Sequence, residues 1–179
     1  MDFVAHLLWS GILFAGNQGW WAVFFGGLPD LIPFGLNMIV SPLRRRKKRK
    51  QLQQCRSNGN TREQRVNDMM AYYKQPENRW VYTLYNYTHS LVVWAVFFSI
   101  FVVLGNQRGY FPYFAFAWLL HIIIDIPTHE KRFFAPQFLT PVSTFCVDGK
   151  SWANRKFMLL NYGLITIGIF VQLALRGLI

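Results

Sequence analysis

The feature that most constrains this chain is the segregation of its charge. Seven consecutive basic residues, Arg44 to Lys50, supply much of a formal net charge of +11, while long stretches elsewhere carry almost none. The chain is nonetheless 53% hydrophobic and 18% aromatic, which conflicts with that charge only if the two kinds of residue are mixed. They are not mixed, and the uncharged apolar runs approach the length of a bilayer span. Basic loops beside such runs are held on the cytoplasmic side. The pattern predicts an all-α, polytopic helical membrane protein with about four or five transmembrane or re-entrant helices and one amphipathic interfacial helix. A soluble nucleic-acid binder spreads its basic residues over a folded face, so nucleic acid is excluded as a partner. The expected partner is the lipid bilayer, with anionic headgroups near Arg44–Lys50. Nothing here fixes an oligomeric state.

A length of 179 residues is one domain's worth of chain. It reads as a single membrane-embedded domain, 1–179, with a polybasic and amphipathic cytoplasmic insert at about 43–80. Cys55 and Cys146 stand far apart with no CxxC spacing, which indicates neither a disulfide framework nor a thiolate zinc site. The first residues lack a basic leader, Asp2 is acidic and His6 interrupts the apolar run. The N-terminus is therefore expected to be retained.

Residues 3 to 42 are apolar but interrupted at Gly16-Asn17-Gln18-Gly19 and at Gly26-Gly27-Leu28-Pro29-Asp30. Glycine pairs and prolines disrupt the helical ladder. Three short helices are predicted, over about 3–15, 19–28 and 31–42, forming a shallow or re-entrant hairpin covered by protein. Thr61-Arg62-Glu63-Gln64 fits a capping box. Val66, Met69, Met70 and Tyr73 follow at helical spacing, predicting an amphipathic helix over 62–74 that Pro76 ends. Its apolar face suits the membrane surface or the protein's own helices equally. Further helices are predicted over about 86–104, 112–127 and 156–175, with a polar, proline-bearing loop at 128–154.

All four histidines lie in or beside short polar clusters within this apolar sequence: His6, His89, His121 and His129. Ionisable groups at membrane depth are costly and tend to face a protein interior, where they often serve function. His121 and Asp125 are spaced i, i+4 and share a helix face. With the Arg44–Lys50 loop in the cytoplasm, helix 86–104 runs outward from His89 and helix 112–127 returns Asp125 to the same depth. A hairpin at the N-terminus brings His6 and Asp30 to that side too. Imidazoles and carboxylates together are a ligand set for a divalent metal with hydrolytic chemistry. Read singly, each has a plainer role: Asp30 as a helix cap, Thr88-His89-Ser90 as a cap with an interfacial histidine.

Four stretches occur in the order seen in one bacterial family. They are Ala5-His6-Leu7-Leu8-Trp9-Ser10, Leu28-Pro29-Asp30, Thr88-His89-Ser90-Leu91 and His121-Ile122-Ile123-Ile124-Asp125-Ile126-Pro127-Thr128. Outside residues 43–80 the chain resembles the inner-membrane-bound, metal-dependent hydrolases of which one well-known member is regulated by the LexA repressor. Their pattern is a GHLL-like start, LLPDIDH, HRGxTHS, then HxxxDxxT with a proline-bearing loop. This chain departs from it at Ile32 and Pro33, where the pattern has a second aspartate and a histidine. It departs again at Leu84-Tyr85-Asn86, where the pattern has His-Arg-Gly.

The resemblance implies a site of His6, Asp30, His89, His121 and Asp125 around a divalent metal, zinc or manganese, with Asp30 and Asp125 as its catalytic carboxylates. The missing ligands speak for one ion rather than two, and three protein ligands plus water suffice for a catalytic zinc. His129 and Glu130 are local extras. The leading expectation is a metal-dependent hydrolase at the cytoplasmic face of the bacterial inner membrane, acting on a lipid phosphoester. The alternatives are a non-catalytic membrane protein keeping the fold around a degenerate site, and a small transporter or proton relay.

Overall fold

The computed structural model describes residues 2–14, 16, 19–40, 73, 75–131, 134–152 and 154–178. The basic run Arg44–Lys50, the capping box at Thr61 and the amphipathic helix expected at 62–74 lie outside these residues, Tyr73 excepted. Among the described residues every regular element is helical. They are α1 (Phe3–Leu13), α2 (Gly19–Asp30), a π-helical turn (Leu31–Gly35), α3 (Leu36–Val40), α4 (Arg79–Thr88), α5 (Leu91–Gln107), α6 (Ala115–Thr128) and α7 (Arg155–Leu175).

Most of the helices are apolar all round, the mark of segments that face lipid or protein on every side; α4 is the exception, with Arg79, Thr83 and Asn86 among its apolar residues. Two are long and apolar enough to cross a membrane: Gly19–Val40 taken as one unit, and Arg155–Leu175. A third is added if the bent pair α4–α5 counts as one span, while α1 and α6 are apolar but shorter. That is fewer full spans than the four or five spanning or re-entrant segments expected. The outside of the molecule is oily: Trp20 is 90% exposed, Ile39 74% and Leu159 67%. His6, His89, His121 and Asp125 are instead among the most deeply buried side chains. Such an inversion suits a protein whose solvent is hydrocarbon.

Two breaks differ from the expectation. The interruption at Gly26–Asp30 is not a break: α2 runs through it into the π-helical turn and on to α3. Pro29 and Pro33 cannot donate to the ladder, and the wider i→i+5 pitch accommodates this. In a regular helix the Pro29 carbonyl would be served by residue 33, which is proline. It accepts instead from Thr88 Oγ–H at 2.8 Å. The second difference lies at residues 88–90, where α4 and α5 meet at 55° although one helix was expected from about residue 86. Ser90 caps α5, accepting from the amides of Val92 and Val93 at 3.1 and 3.2 Å. The Leu91 amide, which no side chain caps, reaches Phe138 O at 2.9 Å.

Packing sets the positions of these breaks. α2 packs against both α1 and α6, and α1 also packs against α7. The α1–α2 approach requires glycine, since a Cβ on Gly26 would overlap Ser10 Oγ and lie 2.6 Å from Ser10 Cβ. Polar bonds tie α7 to the N-terminal segment: Trp9 Nε1–H to Asn161 Oδ1 at 3.0 Å, Tyr162 O–H to Asp2 Oδ1 at 2.8 Å, and Gln172 Nε2–H to Ile12 O at 2.7 Å. Side-chain hydrogen bonds of this kind hold helices together where lipid removes the hydrophobic driving force.

Candidate metal centre

The centre forms where the end of α2, the α4–α5 joint and one face of α6 meet. Asp30 ends α2 and makes no side-chain cap hydrogen bond, so its carboxylate is not used as a helix cap. His89 occupies the α4–α5 joint, completely buried. His121 and Asp125 project from α6, each 1% exposed. The side chain of Asp30 alone retains some access, at 14% exposure. One ligand atom from each of these four residues lies within 4.8 Å of the others.

Hydrogen bonding sets the tautomer of both imidazoles. His89 Nδ1 lies 2.9 Å from Tyr85 O and His121 Nδ1 2.6 Å from Gly26 O. A carbonyl only accepts, so each Nδ1 carries the proton, and each ring, when neutral, presents its Nε2 lone pair inward. The two Nε2 atoms are 3.1 Å apart. Asp125 Oδ2 lies 3.3 Å from each of them. Asp30 completes the set, with Oδ1 3.6 Å from His89 Nε2 and Oδ2 3.8 Å from His121 Nε2.

A metal ion is one group that would reconcile facing lone pairs with two carboxylates. Nitrogen–oxygen hydrogen bonds run at about 2.7–3.2 Å, and all four histidine–carboxylate separations exceed that range. Ligand atoms about 2.0–2.1 Å from a tetrahedral ion stand about 3.3 Å from one another. His89, His121 and Asp125 stand 3.1–3.3 Å apart at these atoms, close to the edge of such a polyhedron, while Asp30 stands farther off at 3.6 and 3.8 Å. The buried Asp30–His89–His121–Asp125 cluster can therefore hold a metal ion; which ion is not specified by donors common to zinc and manganese.

His6 stands outside this set of four. Its Nε2 is 2.9 Å from Asp125 Oδ1, and its ring stacks on His121 with centroids 3.6 Å apart and an interplanar angle of 14°. This position suits an outer partner that orients the carboxylate. His129 lies just past α6. Its Nδ1–H points at Asp125 O, 3.1 Å away, and stands 3.6 Å from Asp125 Oδ1. Burial pushes its pKa down to about 4. Asp125 is thus flanked on one oxygen by His89 and His121 and on the other by His6 and His129.

All five residues singled out in the sequence meet in one region, but spacing could not sort inner from outer contacts. It also missed Tyr85 and Gly26, whose carbonyls set the imidazole tautomers. The i, i+4 step from Tyr85 to His89 is the one local signal. Comparison with protein-family models, with curated proteins and with solved structures finds no match to this chain. The resemblance to the inner-membrane hydrolases rests on the four motifs alone.

Proposed function

We propose that this chain is a membrane-bound hydrolase that uses one divalent metal ion, zinc or manganese, to cleave a lipid phosphoester near the cytoplasmic face of the bacterial inner membrane. The observation that carries the reading is the pair of Nε2 atoms, oriented by backbone carbonyls and gathered with two carboxylates into one compact cluster. When bound, such an ion acts as a Lewis acid and brings the pKa of a held water to about 7.

The chain's own residues do the rest. His89 and His121 hold fixed tautomers, and Asp125 is oriented by His6. Asp30, the most accessible of the four, accepts the proton of the attacking water as the new O–P bond forms. The ester O–P bond breaks opposite, and the proton passes to the departing lipid alkoxide. Oily helix faces keep the molecule beside its lipid. The basic run Arg44–Lys50, with Lys131 and Lys150 in the loop after α6, favours anionic headgroups.

The test pairs metal analysis with turnover on detergent-purified protein. Wild type is expected to hold one divalent ion and to release phosphate or headgroup from a panel of phospholipids, and His121→Ala to lose both. A wild type without stoichiometric metal, or turnover surviving in His121→Ala, overturns the reading. Stoichiometric metal with no turnover leaves a metal-holding, non-catalytic membrane protein.

A further inference from the structure

Tyr85 sits one helical turn before His89, and its ring stacks on that imidazole with centroids 3.8 Å apart at 28°. Phe134 packs against its edge at 5.2 Å and 67°. The residue is only 1% exposed, and its hydroxyl is buried with no hydrogen-bond partner among the described residues. Buried hydroxyls in folded proteins are nearly always paired, and an unpaired one costs stability that phenylalanine would not. Every other contact this ring makes is one a phenylalanine would make as well.

The position of the hydroxyl indicates what it waits for. The ring lies against His89, one of the four residues of the centre, and neither Asp125 nor Asp30 hydrogen-bonds to the hydroxyl. It is thus a buried, unused donor on a ring packed against the four-residue centre. Tyrosine there offers one strong donor, and the oxygens expected to settle beside a metal are those of an anion drawn to it.

We propose that the Tyr85 hydroxyl donates a hydrogen bond to an oxygen of a phosphate-type anion held at the metal centre. This rests on the metal-centre reading above and extends it by naming the residue that recognises the substrate's phosphoryl group. Tyr85 thereby works beside His89 without ligating the ion. The stacked ring fixes the distance between hydroxyl and centre, as a flexible side chain would not.

Tyr85→Phe in the full-length, detergent-purified protein removes only the hydroxyl and keeps the stack. Both forms are loaded with zinc and titrated with inorganic phosphate by calorimetry. The expected result is an unchanged zinc stoichiometry and affinity, with phosphate affinity about tenfold weaker, which is ~1.4 kcal/mol. Equal phosphate affinity in the two zinc-loaded proteins overturns the proposal, and so does loss of zinc in Tyr85→Phe, which would make the residue a ligand or a prop for the site. Wild type that takes up no zinc overturns the underlying metal reading, a failure visible before any phosphate is added.

Discussion

His6 offers the sharpest test of how the centre is layered. Its Nε2 is 2.9 Å from Asp125 Oδ1 while its ring lies on His121, so His6→Phe removes the hydrogen bond and preserves the stack. Both partners are about 1% exposed at the side chain, and no solvent replaces the lost donor. A hydrogen bond to a charged group contributes about 1.5–3 kcal/mol. Loss of a partner that orients a ligand lowers metal affinity about 10–100-fold, which at ~1.4 kcal/mol per decade is about 1.4–2.8 kcal/mol. The two routes agree.

The assay is competition between the detergent-purified protein and a zinc chelator of known affinity, with bound metal counted at saturation. His6→Phe is expected to weaken binding by that factor while still filling one site when zinc is in excess. His121→Ala, which deletes an inner nitrogen, is expected not to fill it. If His6→Phe abolished the saturated stoichiometry, His6 would be a ligand and the assignment of inner and outer contacts would be wrong. Affinity equal to wild type would refute its role in holding Asp125.

Three further outcomes follow from the same geometry. Gly26→Ala forces a Cβ into Ser10, and overpacking of this kind costs about 1–3 kcal/mol. It is expected to lower both the thermal midpoint and metal affinity, because Gly26 O anchors His121; Ser10→Gly added to it should restore both, whereas Ser10→Ala, which keeps the 2.6 Å Cβ contact, should not. Ser90→Ala removes the α5 cap and the hydroxyl's bond to Thr140 O, and a midpoint drop equivalent to about 0.5–2 kcal/mol is expected; an unchanged midpoint refutes the capping argument. Raising free zinc to about 100 times its Kd is expected to stabilise wild type by ~2.7 kcal/mol, reversed by chelator, and a wild-type midpoint indifferent to zinc would count against the centre.

Much of the architecture was legible from local composition. Apolar runs without charge became helices at close to the expected places, because burial in lipid or protein selects the same residues in either case. The joints were less legible. Pro29 and Pro33 read as a helix end, yet the chain continues, since the carbonyl they orphan is taken by Thr88, 59 residues away. The α4–α5 bend depends in the same way on the Phe138 carbonyl. A local pattern records that a hydrogen bond is missing; it does not record which distant group replaces it. For the site, the spacing of His121 and Asp125 and a topological argument pointed to residues that the fold brings together. They did not sort His6 from His89, because spacing does not record which oxygen of Asp125 each Nε2 meets.

That failure points to how fold and centre depend on each other. In hydrocarbon a broken helix is tolerated only if something serves the released carbonyls. Here Thr88 Oγ–H takes Pro29 O, and His121 Nδ1–H takes Gly26 O just upstream of the same π-helical turn. Neighbouring His89 takes Tyr85 O at the other joint. The proton that satisfies each backbone group is thus the one that turns a ring's Nε2 lone pair inward. Tyr85 O accepts from the His89 amide at 3.0 Å and from Thr88 Oγ–H at 3.0 Å as well, so what the ring protons add is the orientation of the two imidazoles. Perturbing either joint should therefore weaken metal binding even where no ligand is touched, and the irregular backbone is best understood as part of the ligand sphere.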